Sequence, residues 1–224
     1  MVVTPAPARG VLTRLLPMGD TAILVETSDI DAVLALSATL GQQAVTGDGV
    51  WADVDDIVPA ARTVLVVARG GTDLPALARA IEQAGAATTV SDTVAEAGHV
   101  EISVRYDGPD LLDVARHTGL SPREVVAAHT GMPWRVGFGG FAPGFAYLVG
   151  GDPRLTVPRR SSPRTSVPAG AVALAGDFSG IYPRESPGGW QLIGTTDVVL
   201  WDAERTPPAL FTPGMVVTFV EDRS

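Results

Sequence analysis

The amino-acid sequence predicts an α+β domain over residues 1–90, followed by a mainly β domain over residues 98–224. Strand and helix patterns alternate through the first segment, which is typical of a small α+β sandwich. A short polar stretch separates the two segments, so we place the boundary between about Ala87 and His99. From Trp134 onward, short strand patterns recur about every 8–12 residues between Pro and Gly pairs, as they do in a barrel or sandwich.

The first segment contains two strand pairs and two helices. Two apolar runs around Met18-Gly19-Asp20 predict a β-hairpin. The apolar residues that follow suit one helical face, and Ser28 or Asp29 can cap the start of that helix. Residues 53–68 indicate a second strand pair, and the next amphipathic run predicts a helix that ends at Gly85.

The second segment opens with a strand over residues 99–106 and two helices before the barrel-type pattern begins. Asp110 is predicted to cap the first of these helices. Ser121 and Glu124 form a capping box for the second, and Pro122 occupies its first helical position.

The composition excludes several kinds of chemistry. The chain has no Cys, and all 16 of its basic residues are Arg, so thiolate nucleophiles, Schiff-base lysines and P-loop lysines are absent. The net charge of −9 argues against binding to nucleic acid. No apolar run approaches the roughly 18 residues that span a bilayer, and the start of the sequence lacks a secretory pattern. We therefore predict a soluble, cytoplasmic protein without a membrane or nucleic-acid partner.

Four arginines lie close together without an intervening acid, at Arg154, Arg159, Arg160 and Arg164. Their mutual repulsion must be offset by a phosphate, by a substrate carboxylate or by acidic side chains folded against them. The planar guanidinium group suits bidentate binding of oxyanions. The segment is thus either an anion site or a solvated loop that pairs with distant acids.

Two glycine-rich stretches flank this cluster. The sequence Ser186-Pro187-Gly188-Gly189-Trp190 could bring backbone N–H groups close to an anion, or it could form tight turns. Upstream, residues 140–148 alternate glycines with aromatic residues, which suits either a ligand wall or a packed turn.

The three histidines do not predict a metal site. His99 begins a strand, His117 lies on an exposed helical face, and His129 ends a helix, where a cation is stabilised. None of them has the spacing of a metal ligand to another, so no metal site is predicted. Asp107 and Asp110 flank a Gly-Pro pair and are expected to serve as turn and cap residues.

Four motifs, taken in order, resemble the KipI/PxpB family, which is also called allophanate hydrolase subunit 1. The similarity covers nearly the whole chain and includes the surroundings of Gly19-Asp20 and Val58-Pro59. The motifs are Gly140-Phe141-x-Pro143-Gly144-Phe145-x-Tyr147-Leu148, Pro158-Arg159-Arg160-x-x-Pro163-Arg164-x-x-Val167-Pro168-Ala169-Gly170, Gly180-Ile181-Tyr182-Pro183 and Ser186-Pro187-Gly188-Gly189-Trp190.

The resemblance implies that the second domain is a cyclophilin-like β-barrel related to the carboxyltransferase part of urea carboxylase. It implies a hydrolase subunit of an ATP-dependent 5-oxoprolinase, which opens 5-oxoproline to glutamate. The implied partners are a KipA/PxpC-type subunit and a LamB/YcsF-type (PxpA) protein, and the implied cofactors of that complex are ATP and Mg²⁺. Two alternatives remain open: a KipI-like inhibitor of a sensor histidine kinase, or a subunit that acts on allophanate or another urea-derived amide.

The resemblance also implies roles for particular residues. Catalytic roles, in binding phosphate or substrate carboxylate, fall to Arg159, Arg160 and Arg164. Substrate or phosphate binding falls to Pro143, Gly144, Tyr147, Ser186, Gly188, Gly189 and Trp190. No general base is identified, which favours an active site shared with a partner. The chain departs from the family pattern by having Phe178-Ser179 before Gly180 and Gly194-Thr195-Thr196-Asp197 after the tryptophan motif.

Overall fold

A computed structural model describes residues 11–90 and 98–223 of the chain. These two ranges belong to two compact units, and each unit is described by itself. The predicted boundary includes residues 91–97, which lie outside the described residues, as do residues 1–10. No helix of the described ranges is both long enough and apolar enough to cross a membrane.

The N-terminal unit is a four-stranded antiparallel sheet on which two helices pack. The elements are β1 (Leu12–Met18), β2 (Ala22–Thr27), α1 (Ile30–Thr46), β3 (Val54–Pro59), β4 (Thr63–Ala68) and α2 (Leu74–Ala87), with a 3₁₀ helix at Gly49–Asp53. The strands lie in the order β1-β2-β4-β3, and apolar side chains between the sheet and the helices form the core of the unit. The predicted hairpin, strand pair and helices are confirmed.

The two helices of this unit begin at aspartate caps. The carboxylates of Asp29 and Asp73 each accept a hydrogen bond of 2.9 Å from the backbone N–H three residues later. The prediction that the second helix ends at Gly85 is wrong, because the helix continues to Ala87. Gly85 instead lies against Leu12, where an added Cβ would come within 3.2 Å of that side chain.

The C-terminal unit is mostly β and is built on a seven-stranded sheet. The strands are β5 (His99–Val104), β6 (Trp134–Gly139), β7 (Ala146–Gly150), β8 (Arg164–Val167), β9 (Ala171–Ala175), β10 (Phe178–Ile181), β11 (Ser186–Gly188), β12 (Gln191–Thr195) and β13 (Val216–Glu221), with β8 and β11 forming a separate two-stranded ribbon. The large sheet has the order β12-β9-β10-β7-β6-β13-β5. Its neighbouring strands are antiparallel except for β13 and β5, which are parallel.

The two edge strands of the large sheet meet at one point, so the sheet is nearly closed into a barrel. Arg105, just after β5, exchanges two backbone hydrogen bonds of 2.8 Å with Thr195 at the end of β12. The side chain of Arg105 also binds Asp197, with N–O distances of 2.8 and 3.0 Å. The departures from the family pattern at Thr195 and Asp197 therefore lie at this closure of the sheet.

Two helices, α3 (Leu111–Thr118) and α4 (Pro122–Gly131), and a 3₁₀ helix at Pro153–Leu155 complete the unit. The predicted capping box of α4 is confirmed, because Ser121 and Glu124 bind each other's backbone N–H groups. The prediction that the Asp110 side chain caps α3 is wrong. Asp110 occupies the N-cap position, but its carboxylate makes no capping hydrogen bond and points toward two arginines.

Candidate functional site

A cavity of about 600 Å³ lies beside the large sheet of the C-terminal unit. Aromatic rings make up much of its wall, and neighbouring rings meet edge to face at centroid distances between 5.2 and 6.0 Å. Such contacts give a rigid apolar surface. The aromatic residues that line the cavity are Phe141, Phe145, Tyr147, Phe178, Tyr182 and Trp190.

Two glycines make room for this aromatic wall. A Cβ at Gly180 would lie 2.9 Å from the Phe145 ring and 3.1 Å from the Trp190 ring. A Cβ at Gly188 would lie 2.3 Å from the hydroxyl oxygen of Tyr182. Because real Cβ atoms do not approach so closely, the rings can hold these positions only next to glycine. The glycine-rich motifs therefore shape the cavity through packing as well as through turns.

Among the described residues that line the cavity, Arg159 is the one that carries a charge. Its guanidinium group lies beside Gly189, with Nε and Nη2 each 3.8 Å from the position of an added Cβ. No carboxylate in the described part of the chain pairs with it. Burial raises the pKa of the nearby Tyr182, and the charge of Arg159 opposes that rise. The cavity thus combines an apolar wall with one available cation.

The other three arginines of the cluster each bind a carboxylate, and Arg160 and Arg164 share the single negative charge of Asp110. Asp110 Oδ1 accepts 2.7 Å hydrogen bonds from Arg160 Nη1 and Arg164 Nη2. Arg154 Nε binds Asp152 at 3.0 Å. Of the four arginines, Arg159 is therefore the one that faces the cavity without a carboxylate partner in the described chain.

Asp110 is almost fully buried, and its second oxygen accepts a 2.7 Å hydrogen bond from the N–H of Leu192. Burial alone would raise its pKa. Hydrogen bonds from Arg164 and from the Leu192 N–H, together with the two guanidinium charges, instead hold that pKa below its usual range. The carboxylate links the arginine segment to β12. The parts of the cavity wall that contain Arg159 and Trp190 lie next to the arginine segment and β12.

The remaining predicted residues divide into two groups. Tyr147, Gly188, Gly189 and Trp190 line the cavity. Ser186, Pro143 and Gly144 do not line it. Ser186 Oγ lies 3.4 Å from the carbonyl oxygen of Arg184, and Gly144 packs closely against Leu200 and Trp201. The binding and catalytic roles of all these residues, and of Arg160 and Arg164, stay predictions.

His129 lies in the core, on the buried face of α4. Its ring is fully buried, its two nitrogens lie 2.7 Å from Tyr106 Oη and 2.9 Å from Ser179 Oγ, and it stacks on Phe219. Burial lowers the pKa of His129 to about 3, so the prediction of a cation at the helix end is wrong. The spacing of Val125, Ala128 and His129 at i, i+3 and i+4 was the signal that it shares the buried face of α4.

The implied ATP and Mg²⁺ can be tested against the cavity. Mg²⁺ prefers carboxylate and other oxygen ligands, whereas no carboxylate lines the cavity, and no group of three acidic or histidine side chains forms a metal site in the described ranges. A triphosphate needs several positive groups, and the cavity offers one. These residues therefore do not fit Mg²⁺ or a triphosphate, but they fit a ligand with a single anionic group.

The C-terminal unit thus contains a nearly closed β-sheet. The cavity beside it is lined by aromatic rings and by one positively charged side chain. The chain belongs to the family described as "Carboxyltransferase domain, subdomain C and D", whose model matches residues 13–211. Three curated relatives are each named as a subunit of 5-oxoprolinase. The Haemophilus influenzae protein is 39% identical over 171 residues, which are 75% of this chain and 79% of that protein. The predicted KipI/PxpB membership is thereby confirmed.

The other two relatives align over shorter segments. The Bacillus subtilis protein is 49% identical over 124 residues, which cover 54% of this chain and 52% of that protein. The Escherichia coli O157:H7 protein is 47% identical over 131 residues, which cover 57% of this chain and 60% of that protein. The chain thus aligns with little more than half the length of these two relatives.

Solved structures show the same fold. TTHA0988 is 35% identical with a TM-score of 0.75, over 91% of this chain and 40% of that one. PH0987 from Pyrococcus horikoshii is 32% identical with a TM-score of 0.54, over 93% of this chain and 97% of that one. The Kluyveromyces lactis urea amidolyase matches with a TM-score of 0.75 over 99% of this chain and 16% of that one, and at 19% identity it shows the fold alone.

Proposed function

We propose that this chain is one subunit of an ATP-dependent 5-oxoprolinase, a hydrolase that opens 5-oxoproline to glutamate. Its partners in this proposal are a KipA/PxpC-type subunit and a LamB/YcsF-type protein. The proposal takes the C-terminal unit as the cyclophilin-like domain implied by the family resemblance. The shared name of the three relatives supports the reaction, and the single observation that carries the proposal is the aromatic cavity with Arg159 in its wall.

The shape and charge of 5-oxoproline suit this cavity. The substrate is a five-membered lactam ring with one carboxylate. In this proposal the ring lies against the part of the aromatic wall formed by Tyr147 and Trp190, and the carboxylate forms a bidentate pair with Arg159. The lack of further charged groups in the wall limits the cavity to ligands with one anionic group.

The residues of this chain bind and orient the substrate in the proposed reaction, and the partners supply the rest. Opening an unstrained lactam at neutral pH requires activation of its carbonyl, and phosphorylation by ATP supplies that activation. No carboxylate or histidine that could act as a general base is found among the described residues that line the cavity. The proposed active site is therefore completed by another subunit, which also holds the nucleotide and Mg²⁺.

Reconstitution tests this proposal. The chain is co-purified with the two partner types, and ATP hydrolysis and glutamate formation are measured with and without 5-oxoproline. Glutamate formation that requires all three proteins, with one ADP produced per glutamate, is the expected result. A complete complex without 5-oxoproline-dependent turnover contradicts the proposal, and turnover of allophanate in its place favours the urea-derived amide alternative.

A further inference from the structure

Phe141 adopts a backbone conformation that bulky residues rarely adopt. Its φ is +65°, and it is the one non-glycine residue with positive φ in the described ranges. The N–H of Ala142 donates a 2.7 Å hydrogen bond to the carbonyl of Gly140, which makes Phe141 the central residue of a three-residue turn. A turn of this kind with positive φ is rare and strained.

Burial of the ring does not account for this strained position. The residue is 58% exposed, and its ring contacts Phe145 and Tyr182 only edge to face, at centroid distances of 5.3 and 6.0 Å. A glycine would adopt the same backbone without strain. Strained residues of this kind are concentrated at ligand sites, where the surrounding structure holds them in place.

The position of the ring shows what the strained turn achieves. Phe141 lines the same cavity as Arg159, and it is the most exposed of the aromatic residues in the wall. The turn therefore holds a flat apolar surface at the edge of the cavity, still largely open to solvent. A ligand that enters the cavity would cover that surface, and the burial gained would favour ligands with a flat apolar ring.

We propose that Phe141 is a specificity-determining residue, whose ring covers one face of a five-membered ring while Arg159 binds the carboxylate attached to it. The ligand class is a small five-membered ring with one carboxylate. This inference rests on the proposed function in taking the aromatic cavity as the substrate site. It adds that selection for the ring is made by a residue held in a strained turn.

The test uses pyrrole-2-carboxylate, a stable planar ring with one carboxylate, and measures its affinity by calorimetry. We expect Phe141→Ala and Phe141→Gly to weaken binding about tenfold. Leu112→Ala removes a similarly exposed apolar side chain that does not line the cavity, and it is the matched control. Pyrrole-2-carboxamide, which keeps the ring and lacks the charge, is expected to bind at least about tenfold more weakly.

The two Phe141 variants also test the turn. Both lack the ring, but only alanine retains the strain, so Phe141→Gly should melt about 2–4 °C above Phe141→Ala. Unchanged affinity in both variants, or no binding of the carboxylate to the wild-type chain, overturns the proposal. If the melting temperature of the glycine variant is equal to or below that of the alanine variant, the claim that the turn is strained is wrong.

The reconstituted complex separates this inference from the proposed function. If 5-oxoproline is turned over and Phe141→Ala leaves KM unchanged, the inference fails while the proposed function stands. If the complete complex is inactive but the affinity for pyrrole-2-carboxylate falls in the Phe141 variants, the 5-oxoprolinase proposal fails while the ligand class is supported.

Discussion

Asp110 connects three parts of the C-terminal unit through one buried carboxylate. It accepts hydrogen bonds from Arg160, Arg164 and the backbone N–H of Leu192. Removal of a partner from such a cluster leaves buried donors without an acceptor, which costs more than the cluster itself contributes. At the scale of single residues, Asp110 is therefore where the arginine segment is most sensitive to substitution.

We predict that Asp110→Ala lowers the free energy of unfolding by about 2–4 kcal/mol, measured by urea denaturation. Asp113→Ala on the neighbouring helix is the control. Asp113 pairs with Arg116 at the surface, so its loss should change stability by no more than about 0.5 kcal/mol. Equal effects of the two substitutions would show that the buried carboxylate does not hold the arginines in place.

His129 gives a second prediction at this scale, concerning pH. Its pKa is about 3 in the folded chain, against an ordinary value of 6.5. The unfolded chain therefore binds an extra proton between these values, and stability contributed by the neutral ring is lost as pH falls below about 6.5. The fall should approach about 1.4 kcal/mol per pH unit.

The measurement for His129 compares unfolding of the wild type and His129→Gln between pH 7 and 4.5. Below that range, acids with lowered pKa values, such as Asp110, contribute their own dependence. We expect the variant to be less stable at pH 7 and to lose the slope between about pH 6.5 and 4.5. A slope that the variant retains in full would mean that another group produces it.

The helix α4 illustrates how local sequence determines an element. Its capping box was readable from Ser121, Pro122 and Glu124. The helix in turn places His129 in the core, between Tyr106 and Ser179. A change at the start of this helix should therefore affect the stability of the packing at its other end.

We predict that Ser121→Ala destabilises the chain by about 1 kcal/mol, since the N–H of Glu124 loses its acceptor. Ser28→Ala is the control, because Ser28 lies next to a capping residue and binds only the exposed side chain of Asp29. Its effect should stay within about 0.5 kcal/mol. Indistinguishable melting curves for the two variants would argue against a working capping box.

The elements that could be predicted are those with local signals. Asp29 and the Ser121 capping box each indicate the start of a helix within four residues of sequence. Alternation of apolar residues identifies the strands. The predicted end of α2 is wrong because Gly85 packs closely against Leu12 and does not terminate the helix. A glycine has the same appearance in sequence whichever of these purposes it serves.

For the molecule as a whole, the contacts that create the candidate site and those that close the large sheet join residues that are distant in sequence. Asp110 meets Arg160 and Arg164 from 50 and 54 residues away, and Arg105 meets Asp197 from 92 residues away. No periodicity or spacing encodes such pairs. The sequence could therefore indicate that the arginine cluster needed neutralising, but not that Arg159 would be left facing an aromatic cavity while its neighbours were paired.

The substitution Arg159→Gln in the reconstituted complex tests the central claim most directly. It removes the one charge in the cavity wall and keeps a polar side chain. We predict that KM for 5-oxoproline rises about 10–100-fold, while Arg154→Gln, at an exposed arginine paired with Asp152, leaves KM unchanged. An unchanged KM in the Arg159 variant, with the complex intact and active, would contradict the claim that this cavity binds the substrate carboxylate.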